Sequence, residues 1–273
     1  MSAEPILQVS EVTKAFGGIL ALNRVSFDLA EGEILGIIGP NGSGKTTLVN
    51  CITGFTQMTS GRVRFRGKDI SSKPPHKIAD MGVTRTFQIM RPYYSLPAYK
   101  NLVIPLFSPR ARRTGGWRGG GRRGDRNTVG IDILEEIGFE RDSYVPFKVT
   151  STLPTGYLKR LELARCLALK PELIICDEVF SGLSMSEIAS MVPLIERLQM
   201  SGITLIMIEH RLRELFKVAD RVLVLNFGEK LVEGSAAEVM ADPRVRDGRG
   251  GDAPCLRRPV SWCFTKTCWP STM

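Results

Sequence analysis

The sequence lacks any apolar run that approaches the roughly 18 residues needed for a membrane-spanning helix. Its first residues, MSAEPILQVSEV, do not place a basic region before an apolar one, so they do not match a secretory signal peptide. These two absences favour a cytoplasmic chain. The 273 residues are 43% hydrophobic and 24% charged, which is ordinary for a globular protein with one large domain or two lobes.

Cysteines in the spacing of a metal site are also absent, and the six cysteines form no pattern typical of a disulfide framework. Cys51, Cys166 and Cys176 lie within apolar patterns, as small core residues do. Histidine is scarce, with only His76 and His210 in the whole chain. The cysteines therefore indicate neither a zinc site nor a disulfide-stapled fold.

The net charge of +9 is unevenly distributed. Residues 110–126 hold seven arginines and one aspartate, and residues 244–273 hold six basic and two acidic residues. The rest of the chain is close to neutral. We interpret the two basic segments as a solvated loop and a solvated tail, with phosphate or lipid-headgroup contact as the alternative.

Apolar patterning predicts an α/β fold around a parallel sheet. The run from Ile34 to Ile38 is apolar and bounded by glycine, which is typical of a strand buried on both faces. The helical pattern KTTLVNCIT follows it directly. After residue 158, predicted strands and amphipathic helices alternate again, as parallel sheets require. Antiparallel strands and hairpins are predicted for ILQVSEV, RVSFDL, SGRVRFRGKDI and RVLVLNFGEKLVEG.

The segment GPNGSGKT, from Gly39 to Thr46, stands between a predicted buried strand and a helix. Glycines let the backbone curl closely around an anion, and N–H groups at a helix N-terminus bind phosphate oxygens. Lys45 is placed to reach terminal phosphates, and Thr46 offers a hydroxyl to Mg²⁺. The strand-to-helix context distinguishes this phosphate loop from an ordinary glycine-rich turn.

Further candidate residues lie at the ends of two predicted strands. LIICDE delivers Asp177 and Glu178 to the sheet edge where ligands of parallel sheets bind. There Asp177 can hold Mg²⁺, and Glu178 can act as a general base on an attacking water. His210 ends the strand ITLIMIEH, where it could contact a terminal phosphate. Taken alone, these would be surface or packing residues; the phosphate loop favours the functional interpretation.

The order of the motifs resembles that of the nucleotide-binding subunits of ABC transporters. AFGGILAL, GPNGSGKTT, TRTFQ, a helical lobe, LKRLELARCLAL, LIICDE, SGL and IEH follow one another over about residues 5–245. The resemblance implies a P-loop NTPase core of the RecA type, an N-terminal antiparallel β subdomain and an inserted helical subdomain. NCITGFTQMTSGRV and VEGSAAEVMADPRV are most similar to the ATPase subunits of branched-chain amino-acid importers.

The resemblance implies ATP and Mg²⁺ as cofactors. Phe16 matches the aromatic residue that stacks on adenine, although its sequence pattern alone fits core packing equally well. The nucleotide-binding loop corresponds to Gly39, Pro40, Asn41, Gly42, Ser43, Gly44, Lys45, Thr46 and Thr47.

Catalytic roles also come from the resemblance. Asp177, Glu178 and His210 match the metal-holding acid, the catalytic base and the switch histidine. Gln88, which alone would be an exposed polar residue, matches the glutamine that approaches Mg²⁺ and senses the membrane subunit. Lys45 completes the catalytic set. The ligands implied for Mg²⁺ are Thr46, Gln88 and Asp177.

Partners are implied as well. In the family, ATP lies between the phosphate loop of one subunit and the signature segment of another, and closure drives transmembrane permease subunits. A second ATPase subunit, identical or different, and permease subunits are therefore expected, with a solute-binding protein acting indirectly and no nucleic acid. The expected location is the cytoplasmic face of the plasma membrane, as a peripheral subunit.

The signature segment departs from the family pattern. A proline replaces the serine of a segment like LSGGQ, which removes a hydroxyl and an N–H that would point at the partner's ATP. Ser184, in SGLS, stands where the family usually has aspartate. Both departures predict a pair with two unequal sites, such as a heterodimer. The residues of this LPTGY signature are Leu153, Pro154, Thr155, Gly156 and Tyr157.

Four segments are predicted along the chain. Residues 1–88 hold the β subdomain and the first part of the core, and residues 89–157 the helical subdomain with a flexible Gly/Arg loop at 108–127. Residues 158–235 carry the signature helix and the second part of the core. Residues 236–273 form a tail that, after Val245, has no helix or strand period. A frameshift and a genuine divergent tail both fit it.

Two other functions fit parts of the sequence. An ABC-type ATPase acting on nucleic acid would use the basic segments, but such proteins usually carry two cassettes or long inserted arms. A weakly hydrolytic regulatory cassette would account for the altered signature. The intact residues Lys45, Glu178 and His210 argue against it. The favoured function is the ATP-hydrolysing subunit of an ABC importer for branched-chain amino acids or a related small polar solute.

Overall fold

The computed structural model describes residues 4–113, 125–140 and 143–246. The strands are β1 Leu7–Phe16, β2 Ile19–Leu29, β3 Ile34–Ile38, β4 Ser60–Phe65, β5 Lys68–Asp69, β6 Val83–Arg85, β7 Leu173–Asp177, β8 Thr204–Ile208, β9 Arg221–Asn226 and β10 Glu229–Gly234. The helices are α1 Lys45–Ile52, α2 Pro75–Met81, α3 Lys100–Leu106, α4 Pro109–Arg113, α5 Arg126–Glu136, α6 Thr155–Leu167, α7 Met185–Met200, α8 Leu212–Val218, α9 Ala236–Ala241 and α10 Pro243–Arg246.

The central sheet has six strands in the order β10-β9-β3-β8-β7-β6. The inner neighbours pair in parallel, and only β10 runs antiparallel to β9. Every residue of β3, β7 and β8 is buried. This explains their continuous apolar runs, because helices or a second sheet cover both faces of a parallel sheet.

Successive residues of the central strands pack into two different cores. Ile34 and Ile38 belong to the core shared with the helical lobe, whereas Leu35 and Ile37 belong to the core shared with the second sheet. The second sheet is antiparallel, in the order β2-β1-β4-β5. The alternation follows from the two-residue period of a strand, and it places the parallel sheet between the two other layers.

The helical lobe is built mainly from α3, α5 and α6, with Leu102, Ile133 and Phe139 in its core. The predicted loop at 108–127 differs from the structure at both ends. α4 begins at Pro109, and Asp125 caps α5 by accepting the N–H of Asn127. Residues 114–124 of that prediction lie outside the described residues.

Long-range hydrogen bonds explain why α4 forms within a segment predicted as loop. Arg110 donates to the carbonyls of Lys170 (2.7 Å) and Met81 (2.9 Å) and to the carboxylate of Glu172 (2.7 Å). These partners are distant in sequence, so local composition did not reveal them.

The last described residues form two short helices. A reciprocal capping box between Ser235 and Glu238 begins α9, and Val245 of α10 is buried. The tail after residue 246, for which we predicted no regular structure, lies outside the described residues. Within the part of the chain that the structure describes, no helix has the length and apolarity to cross a membrane.

Candidate functional site

The phosphate loop connects the buried strand β3 to helix α1. Its glycines adopt positive φ angles, among them Gly42 (+79°) and Gly44 (+100°), so the backbone can turn inwards towards the helix N-terminus. A Cβ on Gly39 would lie 2.1 Å from the carbonyl oxygen of Leu225, so only glycine fits there. The buried Lys45 folds back over the loop, and its Nζ donates to the carbonyls of Gly39 (2.8 Å) and Pro40 (2.9 Å).

A cavity of about 250 Å³ opens above this loop. Three predicted residues from other parts of the chain, Gln88, Glu178 and His210, reach it. The structure therefore brings the phosphate loop together with the expected base, switch histidine and glutamine. The residues of the phosphate loop that line the cavity are Asn41, Gly42, Ser43, Gly44, Lys45, Thr46 and Thr47.

The carboxylate of Glu178 is held by two side chains. Gln88 Nε2 donates to its Oε2 (3.0 Å), and His210 Nε2 lies 3.1 Å from its Oε1. Its backbone has a φ of +55°, a left-handed conformation that costs a non-glycine residue roughly 1–2 kcal/mol. Strain of this kind persists only where surrounding contacts enforce it, and it often occurs at functional sites.

Asp177 lies beside this cavity but is not among its lining residues. Its carboxylate forms a buried ion pair with Arg85 at 3.0 Å, and Arg85 also donates to Asn50 Oδ1 at 2.6 Å. Burial raises the pKa of Asp177, an effect that Arg85 opposes, and burial lowers the pKa of Arg85. Sequence reasoning missed Arg85, although it stands in TRTFQ three residues before Gln88.

The donor set fits Mg²⁺ only in part. Thr46 and Gln88 line the cavity and offer the hydroxyl and amide oxygens that Mg²⁺ accepts as ligands. The described residues contain no group of three histidine, cysteine or acidic side chains able to hold a metal. Such a site is suited to Mg²⁺ that arrives with nucleotide phosphates, since this ion commonly binds through few protein ligands plus phosphate oxygens.

Phe16 lies at the end of β1 with half of its surface exposed. It is not among the residues that line the cavity. The Lys14 Nζ lies 4.7 Å from its ring centroid. The exposed ring is therefore accessible for stacking on a base.

The signature segment forms the start of α6, with Pro154 as the residue before the first helical position. Proline fits there because the first N–H groups of a helix have no intrahelical acceptor. Pro154 and Thr155 are exposed, whereas Leu153 is buried. The ring of Tyr157 packs edge-on against Phe139 at 4.9 Å between centroids. Within this chain the ring of Tyr157 therefore packs into the helical lobe, and its place beside the partner's ATP stays a prediction.

Ser184 begins α7 and forms a reciprocal capping box with Glu187. The serine therefore retains the helix-capping role that an aspartate would have at this position. The Glu187 carboxylate also lies close to Gly156 in the signature segment, so that a Cβ on Gly156 would be 2.4 Å from its Oε1. The hydrogen bonds from Ser184, with that from its backbone foremost, hold the pKa of Glu187 below its usual value.

Comparison with known proteins decides the family. The profile described as "ABC transporter" matches residues 22–181. The chain belongs to the ABC transporter family. The ABC ATPase chain is 35% identical to the branched-chain amino acid transport ATP-binding protein BraF of Pseudomonas aeruginosa, covering 92% of this chain and 100% of BraF. It is also 35% identical to LivG of Salmonella typhimurium, with the same coverage of both chains.

Solved structures agree with this assignment. The ADP conformation of the ATP-binding cassette MJ1267 superposes with a TM-score of 0.79 at 31% identity, covering 92% of this chain and 100% of that chain. A nucleotide-free cassette superposes with a TM-score of 0.78, also at 31% identity, covering 91% of this chain and all of the other. These findings confirm the predicted P-loop NTPase fold and the prediction of an ABC-type ATP-binding, ATP-hydrolysing subunit.

Proposed function

We propose that this ABC ATPase is the energy-supplying subunit of an importer for branched-chain amino acids. The observation that carries the proposal is its 35% identity to BraF and LivG over nearly the whole length of each protein. The alignment covers the full length of both relatives, so it includes every domain that they contain. A related small polar solute remains the alternative cargo, because no described residue would contact the solute.

Glu178 is the proposed general base for hydrolysis. Its carboxylate faces the phosphate-loop cavity and is oriented by Gln88 and His210, so a water between it and a terminal phosphate would lose its proton to Glu178. Lys45 and the loop N–H groups bind the phosphates. Thr46 and Gln88, together with Asp177, would hold Mg²⁺, which would supply positive charge to neutralise the phosphate oxygens.

The proposed partners are transmembrane permease subunits and a second ATPase subunit, with a solute-binding protein acting through the permease. Exposed apolar side chains near Gln88 support a permease contact there: Ile89 is 71% exposed, and Tyr93 and Tyr94 are also exposed. The chain would then lie at the cytoplasmic face of the plasma membrane as a peripheral subunit.

We also propose that the paired ATP sites are unequal. Pro154 has no N–H to donate at the start of α6, and the Glu187 carboxylate lies close to Gly156, the glycine of the signature. The site that uses this chain's signature should therefore be the slower one. Inactivating the base of each subunit in turn, within the assembled complex, tests this asymmetry. Equal losses from both variants would contradict it.

Solute-stimulated ATPase activity tests the assignment as a whole. The chain is purified with the permease and ATPase subunits encoded beside it, reconstituted in vesicles, and assayed with leucine, isoleucine or valine and a cognate binding protein. We expect stimulation that is lost with Lys45→Ala. Stimulation by nucleic acid instead of solute, or copurification with nucleic acid and no permease, would overturn the proposal.

A further inference from the structure

Lys159 is a buried cation that the hydrolysis mechanism above does not use. It lies in the second turn of α6, the helix that begins at the signature segment, and only 7% of the residue is exposed. Its Nζ donates to the backbone carbonyl of Glu178 at 2.8 Å. A buried ammonium is energetically costly, so its placement against one carbonyl calls for a specific explanation.

The carbonyl that Lys159 binds belongs to the strained residue of the site. Glu178 combines its left-handed φ of +55° with an N–H that donates to the Ile208 carbonyl at 2.9 Å. Its carbonyl also accepts the N–H of Ser181 at 3.2 Å. Lys159 thus supplies the shorter of the two bonds to this carbonyl and helps to hold an unfavourable backbone conformation.

Glu209 fixes the next turn of the same backbone. This carboxylate is 2% exposed and accepts the Phe180 N–H at 2.9 Å. Burial raises the pKa of Glu209 to about 7, and Lys159 is among the groups that oppose the rise. Burial lowers the pKa of Lys159, which Glu209, Glu178, Asp177 and Glu162 counteract. Lys159 and Glu209 are therefore two buried ionisable side chains that both bond to the backbone of residues 178–180.

We propose that Lys159 is a positioning residue for ATP hydrolysis, which holds the backbone of Glu178 so that its carboxylate faces the terminal phosphate. The inference rests on the proposed role of Glu178 as the base. Without the ammonium, the carbonyl can rotate and the peptide can leave the left-handed conformation, which moves the carboxylate away from Gln88 and His210. Because Lys159 belongs to α6, which begins at the signature segment, a movement of that helix would displace the backbone of Glu178 through this hydrogen bond.

The test compares Lys159→Met with Glu178→Gln in the assembled transporter. Methionine retains the length of the side chain but cannot donate a hydrogen bond. A displacement of about 1 Å at a reacting group can cost 10²-fold, so we expect kcat to fall by about 10- to 100-fold. KM for ATP should stay within about threefold, because the phosphate loop is untouched. Lys77→Met, at an exposed position of α2, serves as the matched control.

The double variant Lys159→Met, Glu209→Gln separates positioning from simple stability. Glutamine still offers an oxygen to the Phe180 N–H, and it replaces the buried ionisable carboxyl that loses the favourable charge of Lys159 in Lys159→Met. Thermal stability should therefore recover, whereas kcat should remain low. Recovery of kcat together with stability would overturn the inference.

Two further outcomes distinguish this inference from the proposed function. Normal kcat in Lys159→Met, with hydrolysis lost in Glu178→Gln, refutes the inference and leaves Glu178 as the base. Normal hydrolysis in Glu178→Gln refutes both, because no base would then need positioning.

Discussion

Replacing Arg85 with methionine tests the ion pair that anchors Asp177 beside the nucleotide site. The guanidinium lies 3.0 Å from the carboxylate, and the two side chains are 7% and 4% exposed. Removing one partner leaves a buried charge without compensation, which lowers the free energy of unfolding by roughly 3–5 kcal/mol. For a chain of this size, the midpoint of thermal unfolding should fall by roughly 6–20 °C.

Lowering the pH should reduce the loss of unfolding free energy caused by Arg85→Met. Burial raises the pKa of Asp177, and Arg85 opposes that rise, so the pKa should be higher still in Arg85→Met. An acid whose pKa is higher in the folded chain than in the unfolded chain destabilises the fold as the pH rises through that interval. The difference in stability between Arg85→Met and the native chain should therefore be smaller at about pH 5 than at about pH 8.

Thermal and urea unfolding of the purified chain at the two pH values measures both effects. The double variant Arg85→Met, Asp177→Asn removes both charges and should recover most of the stability. Arg24→Met is the matched control, because its ion pair with Glu11 is exposed and such pairs contribute roughly 0–1 kcal/mol. Equal destabilisation by Arg85→Met and Arg24→Met would refute the argument from burial.

Three further predictions concern the nucleotide, the signature and the tail. Lys45→Ala should weaken ATP binding by about 10- to 100-fold, the loss expected for one charge-assisted hydrogen bond, as measured by equilibrium titration. Gly156→Ala should slow turnover of the assembled complex without changing ATP affinity of the isolated chain, because the new Cβ would lie 2.4 Å from Glu187 Oε1; unchanged turnover would show that the contact is dispensable. Truncation after Val245 should leave ATP affinity intact, since the motif residues and the buried Val245 all remain.

Local sequence patterns predicted the parts of the site that depend on neighbouring residues. The phosphate loop was predictable because a buried strand, a run of glycines and a helix start follow one another in the chain. Glu178 and His210 were predictable because both follow the ends of apolar strands, and parallel strands present those ends at one edge. The family resemblance was needed for Gln88, whose own surroundings are uninformative.

Residues that act through distant contacts could not be predicted. Arg85 is 92 positions from Asp177, and Lys159 is 19 positions from the carbonyl it binds. Neither partnership leaves a periodic signal, because each depends on how separate strands and helices pack. The same reason explains why the contact between the rings of Tyr157 and Phe139 was not predicted, because it depends on how the helical lobe packs.

The central claim, that this ABC ATPase hydrolyses ATP with Glu178 as the base, is tested most directly by Glu178→Gln in the assembled transporter. Glutamine keeps the size and hydrogen-bonding reach of the side chain but cannot accept the proton from water. We expect ATP to bind with native affinity while turnover falls by about 10²–10⁴-fold, the contribution of positioned proton transfer. Turnover at the native rate would contradict the account.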